Sequence, residues 1–465
     1  MTHHFYYQHS DTWFGDCMPF FHDGSFYLFH QRDTRKPGPF GEPFGWALAR
    51  TTDFVTYEDL GESVLRGTDD EQDQFIFAGS VFGANGSFYA MYTGFNRDYA
   101  ARGKAAQVLM IATSDDLIHW TKTGQRLVVP QEGYDPHDWR DPFVLFDDDT
   151  HRFVMILGAR KQGKEILTGR TVWFTSTDLQ DWTFEGDFWA PALYSMHEMP
   201  DLFRMGDYWY LLTTEYSDKS KTVYRMSTSL AGPWTARVDD AFDGRAYYAA
   251  RSTADAEGRR FLFGWVPSKE NADELAAWQW GGTLVVHEVV QRPDGSLATA
   301  IPAGVKAAFG TPTPLTAAPI ELTSVDSSVQ ADIASDTGDV FLFSADVEFT
   351  EGTRSFSLRL FEDVETGGGY EYLISLVDAR LSFDRRPNYP WFRYDNKGLE
   401  RPLHLEAGVG HHLEILADGT ICTLYVDGVA LNARMYAKSG TSVRMSVVDG
   451  HIEIRQPTLA KPALR

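Results

Sequence analysis

The chain has 465 residues, with 13 Trp, 21 Tyr and 32 Phe among 40 Gly and 21 Pro, and a formal net charge of −23. That length exceeds what one hydrophobic core usually serves, so two domains are expected. The acidic balance repels phosphate backbones and anionic membrane surfaces, which argues against nucleic acid and membrane as partners and leaves neutral or cationic ligands.

Many aromatics spread among Gly and Pro turns suit an all-β protein with aromatic-lined clefts. Cys17 and Cys422 lie far apart and form no disulfide or metal-ligand pattern. The N-terminal segment Met1-Thr2-His3-His4-Phe5-Tyr6-Tyr7-Gln8 lacks a basic stretch followed by an apolar core, and no apolar run approaches membrane-spanning length. A cytoplasmic protein, monomeric or homodimeric, is the expectation.

The first block with chemical character is Trp13-Phe14-Gly15-Asp16-Cys17-Met18-Pro19. It sets a carboxylate in apolar company, just before the strand-like run Ser25-Phe26-Tyr27-Leu28-Phe29-His30-Gln31. An unpaired charge there is costly unless it faces a polar cavity.

Downstream, one signature recurs: a hydroxyl residue, an Asp or Ser, an apolar residue, then an aromatic. Its copies are Thr52-Asp53-Phe54-Val55-Thr56-Tyr57, Ser114-Asp115-Asp116-Leu117-Ile118-His119-Trp120 and Ser176-Thr177-Asp178-Leu179-Gln180-Asp181-Trp182. A weaker fourth is Ser227-Thr228-Ser229-Leu230-Ala231-Gly232-Pro233-Trp234. Interleaved with these are turn-and-strand units at Gly24-Ser25-Phe26-Tyr27, Gly86-Ser87-Phe88-Tyr89, His151-Arg152-Phe153-Val154, Gly206-Asp207-Tyr208-Trp209 and Gly258-Arg259-Arg260-Phe261. Five such units over roughly 300 residues predict a five-bladed β-propeller, spanning 1–309. An irregular β-sandwich would have similar hairpins but does not usually repeat one signature at this spacing.

Before these hairpins stand Gly15-Asp16, Phe77-Ala78-Gly79-Ser80, Trp139-Arg140-Asp141-Pro142, His197-Glu198-Met199-Pro200-Asp201 and Ala246-Tyr247-Tyr248-Ala249. Equivalent positions in a propeller share a radius. Asp16, Asp141 and Glu198 are therefore expected at equivalent repeat positions facing one axial pocket. Gly310-Thr311-Pro312-Thr313-Pro314-Leu315-Thr316-Ala317-Ala318-Pro319 reads as a linker. The period-two alternation beyond it, as in Val340-Phe341-Leu342-Phe343, predicts a β-sandwich accessory domain over 320–465.

Cleaving a glycosidic bond takes one carboxylate that stays ionised and a second carboxyl that delivers a proton. Three acids in one pocket favour that split through mutual repulsion. Arg140, beside Asp141, would keep that aspartate ionised and donate hydrogen bonds to a sugar diol. A single Asp or Glu at a strand start often only binds turn backbone. Three together favour the catalytic reading.

In order and spacing the chain resembles glycoside hydrolase family 32, the β-fructofuranosidase, invertase, levanase and inulinase group. Trp13-Phe14-Gly15-Asp16 partly matches the family's Trp-Met-Asn-Asp-Pro-Asn-Gly block, and Arg140-Asp141-Pro142 keeps its Arg-Asp-Pro. Glu198-Met199-Pro200-Asp201-Leu202-Phe203 resembles Glu-Cys-Pro-Asp-Leu-Phe, Phe77-Ala78-Gly79-Ser80 resembles Phe-Ser-Gly-Ser, and Gln31 sits where the family carries a Gln. The resemblance implies a retaining double displacement on β-fructosides. Asp16 would be the nucleophile, Glu198 the general acid and base, and Asp141 the transition-state stabiliser. Arg140, Gln31, Phe77, Ser80 and Tyr248 would meet the substrate. Independently of the resemblance, Trp46 and Trp139 are candidates to stack on a sugar face, although an aromatic at a blade edge is more often core. No metal or cofactor is implied, and the partner is an oligosaccharide.

Gly15 departs from the family's Asn, Cys17-Met18-Pro19 from its Pro-Asn-Gly, and Trp46 from a common His. These departures leave the carboxylates intact and put sucrose as natural substrate in question. The leading expectation is an exo-acting β-fructofuranosidase on short fructans. The alternatives are a fructosyltransferase, a hydrolase of another furanoside such as an arabinofuranoside, and a non-catalytic carbohydrate-binding propeller.

Overall fold

Short apolar-aromatic runs broken by Gly- and Asp-containing turns fold as strands almost throughout; the one α-helix among the described residues is the short Ala303–Ala307. The computed structural model describes residues 3–38, 40–363, 365–389 and 392–463. Met1 and Thr2 of the N-terminal segment, and Leu464 and Arg465 of the expected sandwich, lie outside the described residues.

Antiparallel meanders follow one another along the first part of the chain. The first is β1 (Trp13–His22), β2 (Ser25–Asp33), β3 (Trp46–Thr51) and β4 (Glu58–Val64). The second is β5 (Phe75–Ala84), β6 (Ser87–Phe95), β7 (Gln107–Ser114) and β8 (Thr121–Val128). The third is β9 (Tyr134–Asp147), β10 (Arg152–Lys161), β11 (Gly169–Ser176) and β12 (Thr183–Trp189). β13 (Glu198–Met205), β14 (Tyr208–Thr214) and β15 (Thr222–Ser227) form a three-stranded sheet. β16 (Tyr248–Ala254), β17 (Arg260–Lys269) and β18 (Trp278–Gln291), with β19 (Leu297–Ala300), join the first meander through the pairing of Gly282 with Phe14. The leading strands touch in a closed cycle: β1 to β5, β5 to β9, β9 to β13, β13 to β16 and β16 back to β1.

The repeated signature is the turn between the third and fourth strands of a meander. Thr51, Ser114 and Ser176 each accept a backbone N–H three residues on, from Phe54, Leu117 and Leu179, at 2.9–3.0 Å. Asp53, Asp116 and Asp178 cap the next two N–H groups. The aromatic then closes the turn: Tyr57, Trp120 and Trp182 donate to the carbonyls of Phe54, Leu117 and Leu179. Short polar side chains that bind nearby backbone are what hold the apolar central residue at its positive φ of 60–66°.

Beyond the helix, the long strand Val443–Ala460 pairs with Ile320–Ala334, Val340–Phe349 and Ser355–Leu360 at the centre of an eleven-stranded assembly. The expected linker is tied to it, with Thr313 opposite Leu459 and Pro314 opposite Thr458. The seam between the two parts is polar and buried. Asp418 accepts the N–H groups of His4, Phe5 and Tyr6. Asp243 accepts from Asn432, Nδ2 at 2.6 Å, and lies 3.1 Å from His287 Nε2. Arg434 donates to the carbonyls of Val266 and Pro267. Buried polar groups that bond across a seam fix the two parts against each other.

Candidate active site

Each leading strand carries a β-bulge, one extra residue relative to its neighbour, and β9 has a second irregularity between Tyr134 and Trp139. The shifts fall between Phe14 and Cys17, Phe77 and Gly79, Arg140 and Phe143, Glu198 and Asp201, and Tyr248 and Arg251. A bulge re-aims side chains and commonly sits beside an active site. Asp141, Met199 and Ala249 take positive φ there, at 64°, 49° and 54°.

The bulges correct one expectation. The three acids do not occupy one equivalent position; they occupy successive ones. Glu198 shares its frame with Arg140 and Tyr248 ahead of the bulge. Asp141 is the first bulged residue of its strand, and Asp16 the second of its own. The bulges nonetheless aim all three acids at one cavity of about 290 Å³, also lined by Gln31, Phe40, Phe77, Phe95, Gln107, His137, Asp138, Arg140 and Trp280.

Glu198 is held at both oxygens. Arg140 donates from Nη2 to Oε1 at 2.8 Å, and the Tyr248 hydroxyl donates to Oε2. Arg140 also binds Asp138 at 2.7 Å, while its Nε stands 3.8 Å from Asp141 Oδ2, so the arginine serves Glu198 more closely than its sequence neighbour. Burial lowers the Arg140 pKa, but the Glu198, Asp141 and Asp138 charges outweigh it and hold the guanidinium well above its ordinary value. Asp141 accepts the Met199 N–H at 3.0 Å, and its own N–H donates to Thr93 Oγ1 at 2.9 Å. Burial pushes Asp141 up, against the pull of Arg140.

Asp16 accepts the Trp265 indole N–H at 3.1 Å. Burial, then the charges of Asp141 and Glu198, push its carboxyl well above the ordinary 3.8. Tyr248 is pushed up by burial and by Glu198.

Three predicted substrate contacts are corrected. Trp46 is fully buried, and its indole N–H donates to the Phe77 carbonyl at 3.1 Å; it supports the cavity wall from behind. Trp139 is equally buried, edge-on to Phe174 and Tyr134, because it lies on the strand face turned away from the cavity. Ser80 accepts the Val144 N–H at 3.1 Å and ties β5 to β9. Gln31 and Phe77 line the cavity, and Tyr248 reaches it through Glu198.

The aromatic wall that the sequence reading missed is Trp280 with Phe40 and Phe95. Trp280 meets Trp265 and Phe40 edge-on, with centroids 5.5 and 5.9 Å apart, and Phe77 stacks on Phe95 at 4.4 Å. Trp280 also explains Gly15. A Cβ at position 15 would stand 2.3 Å from Trp280 Cη2, so the indole fills the space a side chain would take. The signal was present as Trp278-Gln279-Trp280 beside Gly281-Gly282.

Tyr216, two residues beyond Thr214, the cross-strand partner of Glu198, is 43 % exposed. The Glu215 carboxylate accepts the N–H groups of Ser217, Asp218, Lys219 and Ser220 at 2.9–3.0 Å and so fixes the loop that carries it. Burial pushes the Tyr216 phenol up, opposed by Arg140 and reinforced by Glu198.

Residues 4–297 match the glycosyl hydrolases family 32 N-terminal domain. Sucrose-6-phosphate hydrolase of Escherichia coli is 28% identical over 275 residues, 55% of this chain and 55% of that protein. A levanase of Bacillus sp. (strain L7) is 27% identical over 313 residues, 57% of this chain and 30% of the levanase. The chain spans about half the length, or less, of these curated relatives. In fold it is similar to sucrose-6-phosphate hydrolase from Lactobacillus gasseri, with a TM-score of 0.76 and 20% identity over 97% of this chain and 91% of that one. Fructan 1-exohydrolase IIa from Cichorium intybus also gives 0.76, at 15% identity over 99% and 97%. With its acids gathered at one cavity and more than half its length matched, the chain belongs to glycosyl hydrolases family 32.

Proposed function

We propose that this protein is a retaining β-fructofuranosidase, built as a five-bladed β-propeller over residues 1–309, a linker over 310–319 and a β-sandwich over 320–465. The closed cycle of five leading strands, each with its bulge, supports the blade count. The observation that carries the function is the meeting of Asp16, Asp141 and Glu198 at one small cavity, with Arg140 and Tyr248 holding Glu198.

In this reading the fructosyl ring sits in the cavity against the aromatic wall of Trp280 and Phe77, and Asp141 binds its hydroxyls. Asp16 attacks the anomeric carbon while Glu198 protonates the departing oxygen. The glycosidic bond breaks as the ester to Asp16 forms. Glu198, now ionised, draws a proton from water, which cleaves that ester and frees Asp16. Tyr216, near Glu198, meets the departing sugar. Relatives named for sucrose-6-phosphate and levan support a fructosyl substrate.

The test is a hydrolysis screen with sucrose, sucrose-6-phosphate, 1-kestose, inulin, levan and an arabinofuranoside. Fructose release from at least one β-fructoside, abolished in Asp16→Asn, is expected. Turnover of the arabinofuranoside alone would overturn the reading.

A further inference from the structure

Behind the three acids lies a cation that the mechanism above does not use. Arg251 follows the bulge of β16 and is 1 % exposed. Its Nη2 donates to the Asp141 carbonyl at 2.7 Å, and its Nη1 donates to the carbonyls of Gly79 and, at 3.4 Å, Pro142. Its guanidinium lies 5.6 Å from the Phe143 ring centroid, and its Nε has no hydrogen-bond partner among the described residues. One side chain from β16 thus grips the bulges of β5 and β9.

The titratable groups that face it are Asp16 and Cys17 from β1, Asp141 from β9 and Asp201 from β13; β5 offers only the Gly79 carbonyl. Asp201 is already bound by the Ser252 N–H and hydroxyl, both at 2.7 Å, and has Arg260 as a second cation within reach. Cys17 is a fully buried thiol that burial pushes up, hence neutral. Arg140, the other cation near the acids, is committed to Glu198 and Asp138. Asp16 has only the Trp265 N–H and, among the described residues, no ion pair. A deeply placed carboxylate with no paired cation needs a nearby opposite charge to ionise.

We propose that Arg251 is the fixed counter-ion of the acid cluster, a positioning residue whose buried charge lets Asp16 and Asp141 carry negative charge side by side while its guanidinium clamps the β5 and β9 bulges. The proposal rests on Asp16 acting as nucleophile. An arginine that served only as a carbonyl clamp would matter for its shape. A counter-ion matters for its charge, and the two roles separate in the pH profile.

The experiment is the pH dependence of kcat/KM on p-nitrophenyl β-D-fructofuranoside for the wild type, Arg251→Met and Arg251→Lys. The activated leaving group needs no proton, so the acid limb reports the nucleophile. In Arg251→Met the limb moves to higher pH by about one unit, for loss of an opposite charge nearby. In Arg251→Lys, which keeps the charge and loses the fork, kcat falls and the limb stays in place. A limb unmoved in Arg251→Met, or moved by a unit or more in Arg251→Lys, overturns the assignment; the lysine variant decides it alone should the methionine variant not fold. Absence of wild-type turnover overturns the β-fructosidase reading and this one with it, whereas turnover with the wrong limb overturns the Arg251 assignment alone.

Discussion

A methyl group placed on Gly15 would enter the space that the Trp280 indole occupies. The new Cβ would lie 2.3 Å from Cη2, 2.9 Å from Cζ3 and 3.1 Å from the Gln31 Cβ, all inside van der Waals contact. The indole cannot simply slide, because Trp265 and Phe40 flank it at 5.5 and 5.9 Å. Gly15→Ala therefore forces Trp280 out of its place in the wall. Over-packing of this kind costs about 1–3 kcal/mol, which lowers the melting temperature by roughly 2–4 °C per kcal/mol in a sizeable domain. In the proposed reaction the displaced indole also withdraws a face from the fructosyl ring, so KM should rise. Trp280→Ala removes the obstacle, and in that background Gly15→Ala becomes nearly neutral. The coupling between the two, read by thermal unfolding of all four proteins, should match the 1–3 kcal/mol of over-packing. Effects that simply add, to within about 0.5 kcal/mol, would refute the steric argument and with it the explanation of why glycine stands beside Asp16.

Asp16→Asn should abolish turnover and yet stabilise the protein at neutral pH. Burial and the neighbouring carboxylates raise the folded-state pKa of Asp16 above its ordinary 3.8, so its favourable contribution is present below that value and lost as pH rises through the folded-state value. Ionisation of this group therefore opposes folding. The thermal advantage of the asparagine variant should shrink on acidification, and a variant less stable than wild type at pH 7 would contradict the electrostatics. Tyr248→Phe removes a hydrogen bond to the Glu198 carboxylate. Such a bond to a charged group is worth about 1.5–3 kcal/mol, so kcat/KM should fall by about ten- to a hundredfold and the unfolding temperature should fall as well; an unaltered kcat/KM would remove Tyr248 from the site.

The three cavity acids were legible because each sits in a short motif before a hairpin, and the hairpins repeat. The repeat also marked the turns at Thr51, Ser114 and Ser176, where polar side chains bind their own backbone locally. Bulges are harder to see. They displace Asp16, Asp141 and Glu198 to successive positions without changing composition or spacing enough to be noticed. Trp46 and Trp139 misled because a tryptophan near a motif says nothing about which strand face it takes. One residue of register sends it into the core. Trp280 and Arg251 were missed for the opposite reason. Both belong to the strands that close the cycle, far from the first motif in sequence, and only the pairing of β18 with β1 and the packing of β16 against β1 bring them to Asp16. Gly15 stood out as a departure from the family's Asn. It is room for an indole.

The central claim is that Asp16 takes the fructosyl group covalently while Glu198 manages the proton. Glu198→Gln, given p-nitrophenyl β-D-fructofuranoside, should still form the ester, since the leaving group needs no acid, and should hydrolyse it slowly for want of a base. Mass spectrometry of the acid-quenched, protease-digested protein should find the fructosyl adduct on the peptide that contains Asp16. An adduct on any other residue, or burst release of nitrophenol with no adduct at all, would contradict the account.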